Sequence, residues 1–327
     1  VTQPRTDIKV SVEGRPLVNL ALVRWHLIAS AAALATSLAA GLAFAFQFNA
    51  LYPFPGVEWL SPGRVRMVHT NIAAYGFIAN AFIAGMLFAI PRLTRRPILS
   101  DGLGWLIFGA WQLILVLTVV GQLAGYGQAV EWGETPVFVD PLVLIGLVLL
   151  VVNMAVPIFR TRETGLYVSL WYFLAAFAWT GLVYFMGNYL PQFWVPGTAG
   201  AAITGLFIHD LVGLFVTPIG WGLMYFFVPL LLRKPIWSHA LSLIGFWGLA
   251  FFYPMQGVHH FLWSPIPMYA QYGAVVATIA VEIVVITVIV NFFGTLHGRS
   301  DAVRGNLAIR WFYTGMIMYA ITCFQCA

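Results

Sequence analysis

Long apolar stretches separated by short polar ones set the rhythm of this chain. Nine of them, near residues 22–48, 66–90, 103–126, 140–159, 165–189, 199–232, 238–262, 270–296 and 305–327, hold few charges. A helix of about 20 such residues crosses a hydrocarbon core roughly 30 Å thick, and each run reaches that length. The pattern predicts an all-α polytopic membrane protein, a helical bundle with nine transmembrane helices in a single domain over 1–327. No soluble domain, repeat period or low-complexity tract interrupts it, and the N-terminal segment lacks the features of a secretory signal peptide.

Composition agrees with a lipid-facing chain. Of the 327 residues, 61% are hydrophobic and 8% charged, against about 25% charged in soluble domains. The net charge of +5 has a direction. Arg5, Lys9, Arg15 and Arg24 precede the first run, and Arg92, Arg95, Arg96, Arg160, Arg162, Arg233, Lys234, Arg299, Arg304 and Arg310 flank the even-to-odd connections. Only Arg64 and Arg66 fall on the other side. The positive-inside rule then makes the N-terminus cytoplasmic and turns the loops near 128–139, 190–198 and 264–269 outward. The charge reports topology, not nucleic-acid binding. Cys323 and Cys326 form a C-x-x-C inside an apolar helix, which reads as packing.

Ionisable groups at membrane depth are costly and mark functional positions. The chain has six: His69, His209, Asp210, His259, His260 and Glu282. His26, His239 and His297 are assigned to the interface. The segment FFYPMQGVHH, 251–260, sets two imidazoles side by side. Neighbours on a regular helix point about 100° apart, so both reach one centre only where the helix is distorted, and Pro254 and Gly257 supply the distortion. His209, on the preceding run, is brought antiparallel to the pair by the short Arg233-Lys234-Pro235 turn. Three imidazoles from two adjacent helices suit copper, zinc or iron.

Taken together, VRMVHTN (65–71), IHDLVG (208–213) followed by MYFFVP (224–229), and FFYPMQGVHHFLW (251–263) resemble subunit I of the haem-copper oxygen reductases, closest to the C family, the cbb-type cytochrome c oxidases. The resemblance runs from about Leu51 to the end of the chain. It implies that His209, His259 and His260 bind the active-site copper, and that Tyr253, six residues before the His pair, is covalently joined to His209. It makes His69 an axial ligand of a low-spin haem b, with Arg64 and Arg66 at the haem propionates. The loop GQAVEWGET (127–135) is similar to the family's calcium-binding loop, with Glu131 at the calcium and Glu134 at a second acidic position. A high-spin haem completes the cofactors. The activity implied is reduction of dioxygen to water, with electrons from membrane-anchored c-type cytochrome subunits and coupled proton translocation, in a bacterial inner membrane.

Two departures from the family pattern carry weight. The family has twelve helices and places its other haem-ligating histidines on the tenth, while this chain ends within its ninth apolar run; it therefore reads as C-terminally truncated, with a split gene or a degenerate paralogue as alternatives. The acidic residues also differ, since Asp210 stands where the family commonly has Asn, and Glu282 lies mid-way along the eighth run. The related nitric oxide reductases use non-haem iron and an extra glutamate, usually without the tyrosine. Tyr253 and Gly213, four residues after His209 where those reductases carry a glutamate, favour dioxygen. Glu282 favours nitric oxide, or serves as a proton-loading carboxyl. A non-catalytic oxidase-derived membrane subunit is the third reading.

Overall fold

The computed structural model describes residues 11–12, 14–161 and 165–326, with the side chains of Ser11, Val12 and Cys326 left aside. Arg5, Lys9 and Arg162, counted above for topology, lie outside the described residues. All nine apolar runs are helices, and the chain is an integral membrane protein: α1 Leu20–Asn49, α2 Pro62–Thr94, α3 Asp101–Ala124, α4 Asp140–Phe159, α5 Val168–Trp194, α6 Gly197–Leu232, α7 His239–Phe261, α8 Met268–Leu296 and α9 Leu307–Gln325. The largest boundary shift is at the end of α5, expected at residue 189 and found at Trp194. A two-rung hairpin, Ser11–Val12 with Arg15–Pro16, precedes α1.

The helices end where the sequence supplies caps. Ser100 and Ser238 each accept a hydrogen bond from the backbone N–H three residues on, opening α3 and α7, which satisfies donors that a helix start otherwise leaves bare. Gly125 closes α3 with φ +93°, an angle that glycine adopts without strain.

The chain packs as two compact units, residues 1–165 and 166–327. In the first, α1 lies along α2, and α4 packs on α3 and α2. The face that α1 turns inward carries Leu22, His26, Ser30 and Ser37, while Trp25, Leu27, Ile28, Leu38 and Leu42 are exposed. Small residues let backbones approach closely where lipid provides no hydrophobic drive. His26 therefore departs from its interfacial assignment. Two turns into α1 and only 1% exposed, it pairs through Nδ1 with Asn80 Oδ1 of α2 at 2.8 Å.

The second unit is held by an aromatic core. Tyr172 of α5, wholly buried, packs edge-on against Trp221 of α6 and Phe246 of α7 and stacks on Tyr225 of α6. Such ring pairs contribute about 0.5–1.5 kcal/mol each beyond the area they bury. α7 and α8 run side by side, and the first part of α6 contacts the end of α7.

Several spans change pitch. π-helical turns occupy Ile72–Ile78 in α2, Leu190–Trp194 in α5 and Val212–Val216 in α6, and α7 finishes in a 3₁₀ turn, Gly257–Phe261. π turns are rare and concentrate at functional sites. Two of these three begin three residues after His69 and His209.

Candidate functional site

α7 runs regularly to Gln256, passing Pro254, and then tightens into the 3₁₀ turn that carries His259 and His260. The three-residue pitch of that turn splays the adjacent imidazoles, whose ring centroids are 4.6 Å apart at 83°. His209 of α6 faces both, at 4.9 Å from the His259 ring and 5.2 Å from that of His260. One ring nitrogen from each lies within 4.8 Å of the others, and among the described residues this is the one group of three His, Cys, Asp or Glu side chains so converged.

Hydrogen bonds sort the nitrogens. Thr278 Oγ1 of α8 gives its single proton to the Ala274 carbonyl at 2.8 Å, so toward His259 Nδ1, 3.0 Å away, it can only accept. His259 thus carries its proton on Nδ1 and presents the lone pair of Nε2. His209 Nδ1 meets His260 Nε2 at 3.1 Å, while His209 Nε2 is buried with no hydrogen-bond partner. Ligands bound at about 2.0–2.1 Å lie at most about 4.2 Å apart, so ring movements of under about 1 Å bring all three onto one ion. Loss of the Thr278 acceptor frees the His259 tautomer. Thr278→Val is expected to weaken the metal about 10- to 100-fold in a chelator competition, with Thr278→Ser near wild type; unchanged affinity in the valine variant would remove the threonine from the site.

Tyr253 stands six residues before His259. Its ring stacks on His209, with centroids 4.3 Å apart and planes at 23°. A close approach admits it: a Cβ built on Gly213 would lie 1.7 Å from a Tyr253 ring carbon. Any side chain at 213 would occupy the volume of the tyrosine. Asp210 is buried with Oδ1 unpartnered, and Glu282 lies one turn beyond Thr278 on α8, half-buried, its Oε2 without a partner.

His69 occupies the first unit. Its ring packs against α1, where a Cβ added to Gly41 would come 2.6 Å from Nδ1. Nδ1 donates to the Ser37 carbonyl at 2.8 Å, and the Ser37 hydroxyl bonds the His69 carbonyl at 2.9 Å. Nε2 keeps its lone pair, the arrangement an axial ligand requires. Gly41→Val is expected to turn the ring away and reduce low-spin haem per complex in the reduced-minus-oxidised spectrum; a full complement of haem would show that His69 does not depend on this approach.

The arginines flanking His69 are engaged by protein oxygens. Arg64 bonds the Leu123 carbonyl at 2.9 Å and Glu58 at 3.0 Å. Arg66 spans Glu131 at 3.5 Å and Glu134 at 3.2 Å, so the loop acids named for calcium share one guanidinium. Glu134 is nearly buried and also accepts from Asn71 Nδ2 at 2.6 Å. Burial raises its carboxyl above the usual range, opposed by Asn71 and Arg66. Tyr75 donates to the Trp132 carbonyl, so Arg66, Asn71 and Tyr75 together tie the loop to α2.

Comparison with known proteins decides the family. Residues 21–327 match the family described as cytochrome c and quinol oxidase polypeptide I. The chain belongs to this family, that of haem-copper oxidase subunit I. It is 28% identical over 294 residues to the cytochrome c oxidase subunit 1 of Rhodobacter capsulatus, covering 87% of this chain and 55% of that protein. A subunit 1 homolog of Azorhizobium caulinodans is 26% identical over 327 residues, covering 96% and 59%. The Cbb3-type cytochrome c oxidase subunit CcoN1 of Stutzerimonas stutzeri is 26% identical over 294 residues, covering 87% and 62%. The chain spans between half and two thirds of the length of these relatives. For an oxidase subunit I the donor set fits: three converging imidazoles suit a copper ion, and an imidazole with its Nδ1 committed suits an axial haem position.

Proposed function

We propose that this chain forms the core of a terminal oxidase that reduces dioxygen to water with electrons from membrane-anchored c-type cytochromes, coupled to proton translocation. The observation that carries the reading is the stack of Tyr253 on His209 within the three-imidazole cluster, in the space that Gly213 leaves. The proposed setting is a bacterial inner membrane with the N-terminus cytoplasmic.

When bound, copper and haem supply the electron-transfer and dioxygen-binding chemistry. The protein's own residues do the rest. His209, His259 and His260 hold the copper as neutral imidazoles, the His259 tautomer being set by Thr278. The Tyr253 hydroxyl holds a transferable hydrogen at the centre. His209 Nε2, the nitrogen without a partner, is the atom open to the covalent link with Tyr253 that the resemblance implies. In the first unit His69 holds low-spin haem b through Nε2. Glu282, on the Thr278 face of α8, holds a proton near the site. For calcium at Glu131 the support is the loop alone, whose acids already share Arg66.

Glu282, with its unpartnered carboxyl oxygen, is the observation that favours a nitric oxide reductase. Metal analysis of the purified complex decides: copper with cytochrome-driven oxygen uptake supports the oxidase, and non-haem iron with nitric oxide consumption supports the reductase. A complex without haem or bound metal would select the non-catalytic subunit.

A further inference from the structure

The π turn that follows His69 is pinned by side chains from three directions. At its end the Ala79 N–H bonds the Ala74 carbonyl, five residues back. Where the ladder returns to four-residue spacing one carbonyl is passed over, and by this count it is that of Tyr75. Trp111 of α3 donates its indole N–H to that carbonyl at 3.0 Å. The next two carbonyls receive further donors: Asn80 Nδ2 reaches Gly76 at 2.7 Å, and the Ser30 hydroxyl of α1 reaches Phe77 at 2.9 Å.

Asn80 is itself held. Its Oδ1 accepts from Gln112 Nε2 at 3.0 Å and faces His26 Nδ1 at 2.8 Å, so its amide cannot flip without losing both. In a membrane an unsatisfied carbonyl is costly because no water reaches it, and an unsupported ladder would close into continuous α-helix. Removal of the extra residue of a π turn rotates everything before it by about 100° relative to everything after. His69 lies before the turn, and the α2 segment beyond it is fixed against α1. The rotation would carry His69 off Ser37 and Gly41.

We propose that Ser30, Asn80 and Trp111 are positioning residues for His69, holding open the π turn that sets the side of α2 from which this histidine is presented. The proposal rests on the reading that His69 ligates the low-spin haem. It assigns a role to three side chains that hydrogen-bond the π turn itself.

The test uses the intact complex and reads geometry per haem, not yield: the g-values of the oxidised low-spin haem and its midpoint potential. Trp111→Phe removes only the indole donor from the passed-over carbonyl. Both quantities are expected to shift in Trp111→Phe and in Ser30→Ala, with Ser30→Thr, which keeps the hydroxyl, restoring wild-type values. A merely structural role would lower the amount of complex and leave both unchanged in what survives, which would overturn the proposal. Should Trp111→Phe not assemble, the Ser30→Ala and Ser30→Thr pair decides on the same readings. His69→Ala separates the two layers: low-spin haem retained in that variant refutes the ligand reading, whereas haem lost there but undisturbed in the clamp variants refutes the clamp alone.

Discussion

Tyr253→Phe is expected to abolish cytochrome-driven oxygen uptake while haem and copper remain bound. The substitution removes one oxygen atom. Phenylalanine keeps the ring stacked 4.3 Å from His209 and still fills the volume opposite Gly213, so packing and metal binding have no reason to change. What disappears is the hydroxyl proposed to hold a transferable hydrogen at the centre, and with it the proposed link to His209. Loss of a positioned proton donor alone costs about 10²- to 10⁴-fold in rate, which brings turnover to background. Oxygen uptake is the measurement, with haem by optical spectrum and copper by elemental analysis on the same sample. Full oxygen consumption by the phenylalanine enzyme would sink the oxidase reading, and with a nitric oxide reductase Glu282→Gln would be the more damaging change.

His209→Leu is expected to empty the metal site. Tight biological metal sites bind with about 10–16 kcal/mol shared among some four ligands, hence about 3 kcal/mol for each, or two orders of magnitude in affinity. His209 is also the only ligand from α6, and its loss leaves the two histidines of one 3₁₀ turn to hold an ion alone. Leucine fills much of the buried volume, so the helix remains packed. Copper per complex should drop to background in His209→Leu, while His239→Ala, at the start of α7, retains the wild-type content. Copper retained in full by the leucine variant would dissolve the three-histidine centre.

The helices were legible because burial in lipid leaves a plain trace: about 20 apolar residues in a row can hardly be anything else. The convergence of His209, His259 and His260 was legible because adjacent histidines beside a proline and a glycine are hard to explain by packing. Thr278 was not, since a threonine in an apolar helix is unremarkable until its hydroxyl is seen to spend its proton on Ala274. The π turns left no mark either. Inserting one residue into an apolar run changes the direction of every later side chain without changing the composition of the run. His26 was misread for a related reason: distance from the helix start suggested an interface, whereas the face of α1 decides its burial.

Helix α1 inverts the usual link between chemistry and tolerance. Its large apolar side chains, among them Leu38 at 60% and Leu42 at 62% exposure, meet only the surroundings, and exchanging them among Leu, Ile, Val and Phe should pass unnoticed. Ser37 and Gly41 are the residues that fit only one way, and at Ser30 the hydroxyl is what must stay. A redesign of this protein toward water solubility would therefore rewrite the exposed leucines of α1 freely, keep the buried Leu22 and retain the hydroxyls of its serines, against the instinct to treat a hydrophobic residue as the core and a serine as surface.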